Sequence, residues 1–60
     1  MLVLLTDQDT YFVEYLLGEL VLDKSITKAM QFDTQIMAEK FQFMLMDKFE
    51  LNTSINTFID

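Results

Sequence analysis

Apolar and polar positions divide this chain into segments of different period. Leu2–Leu5 is a short unbroken apolar run, Thr6-Asp7-Gln8-Asp9-Thr10 is polar, and Tyr11–Leu16 resumes with aromatic and β-branched residues. Two such runs around a turn-forming stretch predict a β-hairpin over the first sixteen residues, followed by a third short strand at Leu20–Leu22. A helix over Tyr11–Leu22 competes with this reading, because Phe12, Tyr15, Leu16, Glu19 and Leu22 also fall on a helical stripe. Gly18 weakens that helix by about 1 kcal/mol relative to Ala, so strand–turn–strand is preferred. Ser25 is placed to cap a short helical turn reaching Ala29 or Met30, and Gln31–Asp33 reads as a brief extended link or edge pairing.

The main helix is predicted over 34–49. Asp33 or Thr34 supplies an N-cap oxygen, Asp33 suits the positive end of the helix dipole, and Lys48 suits the negative end. Met37, Phe41, Met44, Leu45 and Lys48 follow helical spacing, with Ala38 and Phe49 on the flank, and Met37, Phe41, Leu45 and Phe49 are expected to build the core. Phe43 and Met46 lie on a different side, in register with Glu39 and Glu50, and Ile36 sits close to that side. This is more apolar surface than one small core uses. Ile36, Phe43 and Met46 are therefore the expected dimer or partner contact. Leu51–Asp60 alternates with strand period, placing Leu51, Thr53, Ile55, Thr57 and Ile59 on one side. A strand there closes the sheet or pairs its edge with another chain. The expected fold is α+β: one domain over 1–60, a small, mostly antiparallel sheet of three to four short strands packed on one principal helix.

Size and composition sharpen this picture. Sixty residues bury only about 60% of the surface the unfolded chain exposes, and a core of this size rarely supplies more than about 3–5 kcal/mol. With no Cys and no His, disulfides are excluded and the preferred zinc ligands are missing. Self-association is the remaining staple, and a homodimer is expected. The five Met residues suit adaptable contacts or an irregular core.

Ten acidic residues against four lysines give a net charge of −6. Asp7, Asp9, Glu14, Glu19 and Asp23 all precede the first lysine, Lys24. Such a balance disfavours direct contact with nucleic acid or anionic membranes and favours a basic protein surface. These five carboxylates are the candidate partner-binding residues, since a rigid array of them suits the cationic groups that hold phosphates. No apolar run approaches the roughly 20 residues of a membrane span, and no signal peptide is recognisable. A cytoplasmic setting is expected.

Catalytic and metal chemistry find little support. Asp7-Gln8-Asp9 opens like a calcium loop, but that loop needs Gly and Glu at its sixth and twelfth positions, where Phe12 and Gly18 stand. Ser25 and Ser54 have no His to activate them. Paired carboxylates require a cleft that shifts one of them. No enzyme activity and no cofactor are expected.

Lys28-Ala29, Phe32, Asp33-Thr34, Ala38 and Phe41, preceded by the Tyr11 segment, resemble a pattern in small uncharacterised proteins of bacteriophages and mobile elements. The resemblance covers about half the chain and lacks the basic helix surface of those proteins. It implies a compact α+β phage-type protein acting in a host cell. By analogy with phage inhibitors such as anti-CRISPR proteins, the function expected is inhibition or modulation of a host protein with a basic, nucleic-acid-type surface. The alternative is a structural or assembly subunit whose role is homo-oligomerisation.

Overall fold

The polar stretch after the first apolar run is a tight reversal organised by one residue. The Thr6 hydroxyl accepts the Gln8 and Thr10 N–H groups at 3.2 and 3.3 Å and lies 2.6 Å from the Thr10 hydroxyl. Thr6 N–H donates to Thr10 C=O at 2.7 Å, and Asp9 takes the positive φ of 59° that the reversal requires. Thr6 is buried, and these contacts are why a polar side chain is tolerated there.

In the computed structural model, which describes residues 1–59, this turn joins β1 (Leu2–Thr6) to β2 (Tyr11–Leu16). Next come β3 (Glu19–Asp23), a single 3₁₀ turn at Ile26–Lys28, α1 (Gln35–Phe49) and β4 (Thr53–Thr57). All strand pairs are antiparallel, in the order β3-β2-β1-β4. The α+β architecture therefore stands as four strands in one open sheet with a single helix packed on it. The helical alternative for Tyr11–Leu22 is excluded, because those residues form the β2–β3 hairpin.

A β-bulge explains why that segment imitates a helix. Phe12 pairs with Leu22 and Glu14 with Val21, so Val13 is the extra residue on β2. Phe12 and Tyr15, three residues apart, consequently both pack into the helix-side cluster. A strand without the bulge would send them to opposite faces.

The link after the 3₁₀ turn also joins the ladder. Phe32 forms a two-way bridge with Leu2, at 3.0 and 2.8 Å, and Met30 N–H donates to Phe12 C=O at 2.9 Å. The pairing expected for Gln31–Asp33 is therefore present, as a single bridge from Phe32 to β1, with Met30 just before it bonded to β2. It places Phe32 in an aromatic cluster with Phe12 and Phe41, with centroids 5.0 to 6.4 Å apart.

Thr34 caps α1 by accepting the Met37 N–H at 3.2 Å, so the oxygen comes from Thr34 and not from Asp33. Ser25 gives no cap bond to the 3₁₀ turn; its hydroxyl meets that of Thr27 instead. At the other end, Glu50 adopts a left-handed φ of 51°, and Leu51 N–H closes on Leu45 C=O.

The buried arc of α1 is rotated from the expected stripe. Ala38 and Leu45 are fully buried and Phe41 is half-buried, whereas Met37 and Phe49 are 43% and 38% exposed. Ala38, Phe41 and Leu45 share one stripe. The small Ala38 permits close approach to the sheet there. Phe49 packs edge-on against Tyr15, with ring centroids 5.5 Å apart. The C-terminal strand is shorter than expected, Thr53–Thr57. Leu51 is buried before it begins, Ile59 beyond it is exposed, and Asp60 lies outside the described residues.

Candidate functional site

The register assigns each hairpin side chain to a face. Phe12, Tyr15, Leu20 and Leu22 pack on the helix side. The cross-strand pairs Tyr11–Asp23, Glu14–Val21 and Leu16–Glu19 therefore point to the face that carries no helix. Three of the five candidate carboxylates, Glu14, Glu19 and Asp23, come together on it. Asp7 and Asp9 sit in the β1–β2 turn, next to the end of the hairpin where Tyr11 pairs with Asp23.

The levels of Glu19, Glu14 and Asp23 are two residues apart, so carboxylates recur about every 7 Å along roughly 13 Å of ladder. None of the four strands contains a lysine, so the charges the strands themselves place on this face are all carboxylates. The carboxylates are not equivalent. Asp23 Oδ1 accepts the Ser25 N–H at 2.8 Å and its Oδ2 lies 3.8 Å from Lys28 Nζ, so Asp23 holds the following turn in place. Glu14 and Glu19 are exposed and are the carboxylates most available to a partner.

The composition did not reveal the apolar groups set between these acids. Leu16 and Val21 are exposed beside Glu14 and Glu19. At the hairpin tip, Leu17 is 95% exposed with φ 52°, followed by Gly18 at φ 81°. Two consecutive positive φ values define a type I′ turn, which favours Asn-Gly. A fully exposed Leu in that conformation gains nothing for the fold. One sequence signal was present: in a two-residue loop ending in Gly18, Leu17 must occupy the turn.

The second candidate surface lies on the helix. Ile36 and Phe43 are 67% and 75% exposed, and Met46 is exposed as well. Ile36 and Phe43 stand two turns apart on the side of α1 opposite Ala38 and Leu45. Met46 lies on the flank with Gln42, whose Nε2 donates to Thr53 C=O at 2.9 Å.

Two concavities add to the surface. A groove of about 370 Å³ is lined by Met30, Phe32, Met37 and Phe41, with Asp33 and Thr34 at its rim. A shallower depression of about 220 Å³ lies where the β1–β2 turn meets the start of β4. Neither contains a nucleophile paired with a base. Among the described residues no three His, Cys, Asp or Glu side chains converge to hold a metal ion, and no helix is long and apolar enough to cross a membrane. No protein family, curated protein or solved structure matches this chain.

Proposed function

We propose that this chain is a small acidic binding protein that inhibits or modulates a host protein by direct protein–protein contact. The target carries a basic surface of the kind that holds nucleic acid, and the setting is the cytoplasm of a host cell, in the manner of phage inhibitors. One observation carries the reading: the helix-free face of the β2–β3 hairpin presents Glu14 and Glu19 among the exposed apolar side chains of Leu16, Leu17 and Val21. Apolar anchors within a charged surround match the anatomy of protein interfaces. The carboxylates steer a cationic partner, and the leucines supply burial once it has docked.

Two charge-matched variants test this. Asp9→Asn/Glu14→Gln/Glu19→Gln and Glu39→Gln/Asp47→Asn/Glu50→Gln each remove three negative charges, the first from the hairpins and the second from the helix and its cap. Immobilised wild type and both variants are compared for proteins retained from a bacterial lysate. Loss of a retained basic protein in the hairpin variant alone is the expected result. Equal loss in both variants contradicts the reading, because it reduces the effect to bulk charge.

The second reading, an assembly subunit, is favoured by the exposure of Ile36 and Phe43. Under it, Phe43→Glu with Met46→Glu changes the mass in solution while the hairpin variant does not.

A further inference from the structure

We infer that two copies of this chain join through the free edge of β4, in an antiparallel register centred on Ile55, to make one continuous eight-stranded sheet. The hydrogen bonds of β4 show which of its backbone groups are free. Asp7 N–H donates to Asn52 C=O at 3.1 Å, and Phe58 N–H donates to Met1 C=O at 2.7 Å. The register between them is unbroken, from Thr6–Thr53 to Leu2–Thr57. Antiparallel pairing alternates, so the backbone groups of Asn52, Ser54, Asn56 and Phe58 turn toward β1 and those of Thr53, Ile55 and Thr57 turn outward. The Gln42 amide reaches the outward Thr53 carbonyl, which fixes the same phase independently. Three outward N–H groups then remain on the edge as a template for another strand, with the Ile55 and Thr57 carbonyls and the second lone pair of the Thr53 carbonyl to receive a partner's N–H groups.

The two edges of the sheet are not alike. The β3 edge begins and ends with an acid, Glu19 and Asp23, and its ladder is bulged. Both are devices that discourage strand addition. The β4 edge has neither: Leu51–Ile59 contains no charged residue, no Pro and no Gly. In a chain of net charge −6, this is where a second copy can approach with least like-charge repulsion.

The edge is also complementary to itself. Thr53, Ile55 and Thr57 are symmetric about Ile55. An antiparallel copy sets Ile55 against Ile55 and Thr53 against Thr57, and every facing pair presents outward backbone groups to outward backbone groups. This is a closed two-fold interface, with no free β4 edge left for a third copy. The axis stands normal to the sheet, so both helices lie on one face. The α1 flank bearing Gln42 and Met46 turns toward its counterpart across the axis. The acidic hairpins are carried to the two far ends of the joined sheet, where they stay free.

Sedimentation equilibrium over a dilution series, combined with amide exchange at high and low concentration, tests the arrangement. Wild type should reach twice the 7.1 kDa chain mass as concentration rises. The Ile55 and Thr57 amides should gain at least tenfold protection over the same range, whereas Ser54 and Asn56 are protected throughout. Thr57→Pro removes an outward N–H, which an edge strand tolerates, and should remain monomeric with an unchanged circular dichroism spectrum. If Thr57→Pro fails to fold, synthetic chain carrying N-methyl-Ile55 deletes the central outward N–H instead, with every side chain kept. Phe43→Glu should leave the dimer intact. A wild type that stays monomeric, a dimer that survives loss of the outward N–H, or a dimer abolished by Phe43→Glu would each overturn the inference.

Discussion

Replacing Leu17 with Asn should stabilise this protein, although it removes a large apolar side chain. Leu17 holds φ at 52°, and a left-handed conformation costs a residue with a Cβ roughly 1–2 kcal/mol, a cost that Asn partly escapes through local hydrogen bonding. Full burial of a Leu side chain is worth about 1.5–3 kcal/mol, but Leu17 is 95% exposed, so its removal forfeits only about 0.1 kcal/mol on that scale. The strain term wins, and a net gain of about 1 kcal/mol is expected, with Asn-Gly being the preferred pair for this turn. For a domain of this size that raises the melting temperature by about 4–8 °C. Thermal unfolding followed by circular dichroism, with urea unfolding as a second estimate, measures it. Leu17→Ala is the control: it removes the same exposed surface yet keeps the Cβ and the strain, so it should leave stability nearly unchanged. An Asn variant no more stable than the Ala variant would refute the strain argument. Under the proposed function, the same Asn substitution weakens partner binding while strengthening the fold.

Thr34→Ala removes the cap accepting Met37 N–H and should cost about 1 kcal/mol in urea unfolding. Leu45→Ala opens a cavity at a fully buried position and should cost about 2–5 kcal/mol, enough to leave much of the chain unfolded at 25 °C, as read by amide dispersion in NMR. Phe43→Ser, on the same helix but mostly exposed, should fall within about 0.5 kcal/mol of wild type. Thr53→Val deletes a buried hydroxyl that has no partner among the described residues and should stabilise by about 1 kcal/mol, visible as a higher urea midpoint at constant slope.

The parts of the fold legible in the sequence are those set by local chemistry. Asp33-Thr34 before a long apolar-rich segment announces the helix, and Thr6–Thr10 between two apolar runs announces the first hairpin. The phase of the helix was not legible, because large apolar residues occur on nearly every side of it and Ala38, which marks closest approach, looks minor in a hydrophobicity pattern. The bulge at Val13 was hidden for a different reason. It changes the parity of β2, so that Phe12 and Tyr15 share a face at a spacing that period-two reading assigns to a helix. The candidate site suffered from the same bulge. The run of early acids is plain in the sequence, but Glu14 joins Glu19 and Asp23 on one face only because an extra residue stands before it. The engagement of Asp23 with Ser25 and Lys28, and the exposure of Leu17, depend on turn geometry and emerge only with the structure.

Under the proposed function the hairpin face, and not acidity in general, meets a cationic partner. Amide chemical-shift mapping of isotope-labelled protein titrated with an arginine-rich peptide tests it most directly. Saturable shifts confined to Asp7, Asp9, Glu14, Leu16–Glu19 and Val21, and lost in Asp9→Asn/Glu14→Gln/Glu19→Gln, are the predicted result. Shifts spread equally over Glu39, Asp47 and Glu50, or an unaltered response in that variant, would contradict it.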